Sequence, residues 1–374
     1  MKKHLLSALL LGAFTLAFFV GCQKDADLPY KAETLNLPAS PLNYAKPEVP
    51  GHFTGVLSKF EVTDNGATLG RVLFYDKKLS LNNKIACGSC HLQEKAFADP
   101  AAGSVGFEGK ITPRNSLAIT NPALEKTFFW DLRESDLTDM VLKPIKNHIE
   151  MGMEDLDKLS VKLAGAKYYP ALFEKAFGST EITDERIASA LTQFLRSMVT
   201  CNAKIDKGQP EVVLSAQEKE GMNLFFGKAL CSSCHGGRNL NDAFQMLNDT
   251  FPPFYGDGRR IANIGLDMNY TDPGLGGREA NQEGVFKVPS LRNVALTAPY
   301  MHDGRFKTLE EVVEHYNGNI QKHPNLDQRL RDWEGNPWRL NLTTGEKAAL
   351  VAFLHSFTDA QFTSDERFSD PFAK

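Results

Sequence analysis

The pentapeptide Cys-x-x-Cys-His occurs twice in this chain, at Cys87–His91 (CGSCH) and at Cys231–His235 (CSSCH). Two thiols and an imidazole crowded into five residues suggest zinc, a redox thiol pair or a covalently held group. Zinc takes four ligands, and each cluster offers three close together. A thiol redox pair needs no histidine and usually sits beside a βαβ pattern, which this sequence lacks. Cys-x-x-Cys-His is the attachment pattern of c-type haem: both thiols bond to the haem vinyl groups and the adjacent imidazole lies under the iron. The repeated motif therefore predicts two covalently bound haem c groups. Cys87, Cys90, Cys231 and Cys234 are the attachment residues, and His91 and His235 are the proximal iron ligands. A chain built around two such groups obtains much of each apolar core from the cofactor.

The chain begins MKKHLLSALLLGAFTLAFFVGCQKD. Lys2 and Lys3 precede an apolar run from Leu5 to Val20, a secretory signal too short and wrongly flanked for a good membrane span. Phe19-Val20-Gly21-Cys22 is similar to a bacterial lipoprotein box, with Phe19 in place of the usual Leu. Residues 1–21 are thus expected to be removed and Cys22 lipidated, so that the exported, periplasmic chain contacts a membrane only through its anchor. The net charge of −4 over 374 residues gives no reason to expect nucleic acid or anionic lipid as a partner. Export favours disulfides. Once Cys22 is set aside, however, five cysteines remain, and an odd number argues against a simple disulfide framework. Cys201, outside both pentapeptides, reads as a small buried residue.

Residues 22–50, rich in Pro, Lys and Asp and without periodicity, read as a tether. The signals that follow are helical. Ile187, Ala190, Leu191, Phe194, Leu195 and Met198 form an apolar stripe of helical period. Capping boxes open helices at Ser215-x-x-Glu218, Thr308-x-x-Glu311 and Thr343-x-x-Glu346. Sustained strand alternation is missing, and long Gly- and Pro-rich loops intervene. The stretch from Asn239 to Val288 is expected to shape a partner surface or to cover the second haem. The chain also repeats itself. LGRVLFYDKKLSLNNKIACGSCH is similar to GMNLFFGKALCSSCH, and FFWDLRESDLTDMVLKP to YMHDGRFKTLEEVVEHY, with Arg133 aligned to Arg305, Leu137 to Leu309 and Pro144 to Tyr316. The expected fold is mostly α: two cytochrome c-like haem domains from an internal duplication, at 51–205 and 206–374.

These motifs together resemble the bacterial dihaem cytochrome c peroxidases and their MauG-type relatives. The likeness runs from about Ala67 to Phe357. It is carried by both pentapeptides, SVGFEG, Arg114-Asn115-Ser116, FFWD, KPI with the following EM, SLRNVALTAPYMHDGR and TLEEVVEHYN. The resemblance implies that the N-terminal haem reduces hydrogen peroxide while the C-terminal haem collects electrons from a small cytochrome c or similar donor. It makes Glu150 the acid/base carboxylate of the peroxide pocket and Trp130 the residue between the haems. It also implies a Ca²⁺ held by Asn115, Thr297 and the Pro299 carbonyl, and it is consistent with a homodimer.

The sequence departs from that family in three places. Phe107 stands where many members have a histidine that closes the resting iron, so the peroxide-reactive iron is expected to be open without reductive activation; His148 is the nearby substitute ligand. Tyr316 stands where peroxidases supply an axial methionine. A phenolate favours ferric and higher states where a thioether favours Fe(II). The other candidates for that position are Met301, Met268 and His302. Met140 replaces a glutamine of the peroxide pocket and removes a hydrogen-bond donor. Tyr316 and Phe107 together motivate an alternative reading, a MauG-like high-valent oxidase acting on a protein substrate. A plain dihaem electron-transfer cytochrome, which needs no Glu150, is the third.

Overall fold

A computed structural model describes residues 34–49, 60–207, 210–236 and 260–372. The signal segment, Cys22 and most of the stretch from Asn239 to Arg260 lie outside these residues. The helices are α1 Asp64–Tyr75, α2 Leu137–Met140, α3 Leu142–Lys146, α4 Leu156–Ala164, α5 Tyr169–Phe177, α6 Asp184–Ser197, α7 Pro210–Val213, α8 Ala216–Phe226, α9 Leu309–Glu314 and α10 Thr344–His355. The sheet content is small: a two-residue antiparallel pair, β1 Ile261–Ala262 with β2 Phe286–Lys287. The mostly α expectation holds. No helix among the described residues is long and apolar enough to cross a membrane.

Two helix crossings organise the molecule. In the first, the stripe on α6 is buried along Ile187, Ala190, Leu191 and Phe194 and packs across α1 at Gly70. A Cβ on Gly70 would come within 2.0 Å of the Ala190 carbonyl oxygen. In the second, α8 crosses α10 at Gly221, where a Cβ would come within 1.9 Å of the Ala349 oxygen. Four residues beyond each glycine a phenylalanine meets the partner helix edge-on: Phe74 on Phe194 at 5.4 Å, and Phe225 on Phe353 at 5.4 Å. A glycine lets two backbones approach, and the aromatic one turn later fills the space beside them. All three capping boxes form, with the cap hydroxyls of Ser215, Thr308 and Thr343 accepting from the backbones of Glu218, Glu311 and Glu346.

The second stretch of sequence similarity is also matched locally. Arg133 pairs with Asp131 and Arg305 with Asp303, at 2.9 and 2.7 Å. Phe128 bridges Glu134 as Tyr300 bridges Phe306. Phe129 and Met301 both have positive φ. Helices α2 and α9 begin at the aligned Leu137 and Leu309.

One apolar core lies around α1 and α6, and another around α8 and α10. The first also takes Phe362 and Phe368 from the C-terminal tail. Residues 34–49, which the sequence reads as tether, lie along this first core. Leu35 bridges Phe372, the Asn36 N–H donates to the Pro371 carbonyl at 2.7 Å, and the Tyr44 hydroxyl donates to the Arg367 carbonyl at 2.8 Å. Tyr44 is 2% exposed. This segment docks as an irregular strap, and its apolar residues have no period for a sequence reading to find.

Candidate active site

Both pentapeptides fold into the same short 3₁₀ turn. Cys90 and His91 donate their backbone N–H groups to the Cys87 carbonyl at 3.1 and 3.0 Å; Cys234 and His235 do so to Cys231 at 3.2 and 2.9 Å. None of the described cysteines is in a disulfide. Burial pushes the Cys87 and Cys231 thiols up to about 12, and the Cys90 and Cys234 thiols up to about 11. The His91 ring is held by Nδ1, which lies 2.8 Å from the Phe97 carbonyl. A carbonyl only accepts, so Nδ1 carries the proton and Nε2 keeps its lone pair. Burial lowers the imidazole pKa and keeps it neutral. Paired thiols outside any disulfide, next to a neutral imidazole presenting a free nitrogen, fit a covalently attached haem with an axial histidine. His235 occupies the matching place on the second turn and is half-buried.

Glu150 belongs to the first of these surroundings. It is a charge neighbour of both Cys87 and Cys90. Burial raises its pKa above the usual carboxylate range, and Arg133 partly offsets this. The turn carrying it is fixed from two sides. Asn147 Nδ2 donates to Glu150 Oε1 at 3.2 Å, and Asn147 Oδ1 accepts from the Ile149 N–H at 2.8 Å. From the facing loop, the Phe107 N–H donates to the Ile149 and Glu150 carbonyls at 2.8 and 2.9 Å. Gly106 permits this approach, since a Cβ there would lie 2.1 Å from the Ile149 oxygen. The Phe107 ring packs over Gly152 and under the Lys110 ammonium. His148 is exposed, and its carbonyl accepts from Lys110. Met140 is half-buried against the first core.

A carboxyl that binds its proton more tightly folded than unfolded stabilises the native state below the ordinary carboxylate range, and that contribution is lost as pH rises through the raised value. Glu150→Gln removes the buried charge and keeps a similar shape. The unfolding midpoint of this variant, relative to the wild type, is expected to rise as pH climbs above the ordinary carboxylate range. A difference that stays constant with pH would count against a desolvated carboxyl.

Trp130 is 9% exposed and packs with Leu266, Tyr270 and Phe286, joining sequence from both halves. Its indole N–H donates to the Asn115 carbonyl at 2.8 Å, and the Asn115 N–H donates to the His302 carbonyl at 2.7 Å. The His302 ring meets Trp130 edge-on at 6.5 Å and stacks on Phe286 at 3.8 Å. In the repeat register Trp130 and His302 are equivalent, each three residues before its aligned arginine. That register makes the two residues equivalent, but their meeting depends on the two segments coming together. Asn147 and Gly106 had no comparable signal, because their role depends on two loops meeting.

Tyr316 lies in a π-helical turn, His315–Asn319, that continues α9. Such turns re-aim side chains and concentrate at functional sites. Burial raises the phenol pKa, and Cys234 and Cys231 are its next contributors, which sets Tyr316 beside the second pentapeptide. A phenolate there needs the compensating charge of a metal. Of the other candidates, Met301 packs in the Trp130 cluster, His302 faces Phe286, and Met268 is 48% exposed. For calcium, Asn115 Nδ2 donates to the Ala101 carbonyl at 2.9 Å and its Oδ1 accepts no hydrogen bond among the described residues. The Thr297 hydroxyl donates to Val294. No group of three or more His, Cys, Asp and Glu side chains among the described residues is arranged to hold a metal ion, but an amide, a hydroxyl and a carbonyl oxygen suit Ca²⁺.

Comparison with known proteins places this site in a family. The family model described as di-haem cytochrome c peroxidase matches residues 64–210. The chain is 33% identical to cytochrome c551 peroxidase of Nitrosomonas europaea over 79% of its own length and 80% of that protein. It is 30% identical to the methylamine utilization protein MauG of Methylorubrum extorquens over 90% and 89% of the two chains. The crystal structure of a MauG-like protein associated with microbial copper homeostasis superposes with a TM-score of 0.75 at 32% identity, covering 93% of this chain and 99% of that one. The chain belongs to the di-haem cytochrome c peroxidase family, which its paired Cys-x-x-Cys-His turns had already suggested.

Proposed function

We propose that this protein is a dihaem c-type peroxidase that reduces hydrogen peroxide to water with electrons from a small cytochrome or similar donor. The observation that carries this reading is Glu150, a desolvated carboxyl held by Asn147 and the Phe107 N–H beside the first pentapeptide. Haem c, when bound, supplies the iron that binds peroxide and the redox equivalents that split it. The chain's own part is the proton. Peroxide must lose one from the oxygen that binds metal and regain one on the oxygen that leaves as water. A carboxyl with a pKa moved towards neutrality serves both steps. His91 and His235 act as proximal ligands and Trp130 lies on the path between the two sites. The repeated glycine crossing supports an internal duplication, with 51–205 as the peroxide-reactive domain and 206–374 as the electron-entry domain. Asn115, Thr297 and Pro299 form a Ca²⁺ site. The enzyme works in the periplasm, anchored through a lipid on Cys22.

Tyr316 beside Cys231 and Cys234 favours a second reading, a MauG-like oxidase acting on a protein substrate. One experiment separates the two. The fully ferric protein is given peroxide and a reduced small cytochrome c, without pre-reduction. Repeated turnover is expected, and Phe107→His, which adds a metal-binding group to the loop, is expected to impose a need for pre-reduction. An oxidised enzyme that the cytochrome does not discharge would favour the oxidase. No reaction with peroxide would remove both.

A further inference from the structure

Arg71, on α1, is 2% exposed, yet among the described residues no carboxylate lies within ion-pair distance of it. Its Nη1 donates to the Glu366 carbonyl at 2.7 Å, and the Tyr44 hydroxyl lies beside it. Its Nε is buried without a hydrogen-bond partner. Burying a guanidinium without a counter-charge is unfavourable, and native structures usually supply one. Arg71 lines a cavity of about 60 Å³. Leu37, Leu42 and Tyr44 of the strap form one wall, and α1 with Lys175 of α5 forms the other. Asn65 and Thr68 add polar groups, and neither Lys175 nor Asn65 has a hydrogen-bond or ion-pair partner among the described residues.

We propose that this cavity binds a small tetrahedral oxyanion of the phosphate or sulfate class, which pairs with Arg71 inside and Lys175 at the rim. A guanidinium fork matches two oxygens of such an ion and leaves the others for an ammonium and an amide. The volume exceeds what one water needs, and a lipid headgroup with its glycerol is too large for it. The anion neutralises Arg71 and fastens the strap. The strap already meets the C-terminal tail through Asn36 and Tyr44, so the site acts as an anion-dependent clasp on the segment leading from the N-terminus.

The test is a titration of the haem-loaded protein with inorganic phosphate, with ionic strength held constant by sodium chloride. At a hundredfold excess over its dissociation constant, phosphate is expected to raise the unfolding midpoint by about 4 °C. It should also slow hydrogen exchange at the Asn36 amide. Arg71→Met should abolish both responses, and Lys175→Met, at an exposed position, should weaken the apparent phosphate affinity about tenfold. If Arg71→Met does not fold, the Lys175 variant still decides. No saturable response in the wild type means that the cavity holds water, and the proposal fails. A response that both variants keep unchanged is a general salt effect, and the proposal also fails.

Discussion

Glu150→Gln is expected to lower peroxide turnover by about 10³-fold while leaving the ferric absorption spectrum unchanged, because general acid–base groups contribute about 10² to 10⁴. The amide keeps the hydrogen bond from Asn147, if its oxygen faces that way, and it keeps the fold of the turn. It cannot take and return a proton. The loss should fall on the step that splits peroxide, so that binding of cyanide or another small probe at the first haem survives. Steady-state oxidation of reduced cytochrome c by peroxide gives the rate, and single-turnover mixing locates the step. A variant that consumes peroxide at the wild-type rate would falsify the assignment and favour a plain electron-transfer cytochrome. Asn147→Ala should reproduce part of the effect by releasing the carboxyl without removing it.

Gly70→Val and Gly221→Val are each expected to destabilise the protein by about 3 kcal/mol, at the upper end of what overpacking costs. The added atoms would meet backbone carbonyls, at Ala190 and at Ala349, and not the movable end of a side chain. Two helices would have to separate, which would also pull Phe74 from Phe194 and Phe225 from Phe353. Denaturant unfolding of the purified holoprotein measures the loss for each, and a low yield of doubly haem-loaded protein is its expected counterpart in expression. If both valine variants unfold with wild-type midpoints, the crossings are looser than the structure has them. Gly109, by contrast, has open space where a Cβ would lie, so any loss there comes from its positive φ alone.

Much of the molecule was legible in the sequence because its signals are local. Cys-x-x-Cys-His fixes four thiols and two imidazoles within five-residue windows. A capping box is a four-residue pattern, and the three named from the sequence, at Ser215, Thr308 and Thr343, form. The helical stripe from Ile187 to Met198 is buried as its period requires. The repeat register between Arg133 and Arg305 carried the matching ion pairs and helix starts, which are also local.

What the sequence could not supply depends on segments distant in the chain coming together. Glu150 could be named from the resemblance, but its raised pKa comes from burial, and a loop some forty residues away grips its turn through the Phe107 N–H. The strap looked like tether because docking onto a finished surface leaves no period. Arg71 read as an ordinary helix cation until α1, the strap and the tail enclosed it. By itself, then, the sequence determined the two Cys-x-x-Cys-His turns and the helical class, since short-range hydrogen bonds and helical period act between near neighbours. Only the tertiary structure decided which side chains lose water and which charges are left facing a cavity, because desolvation is a property of the surroundings and not of the residue.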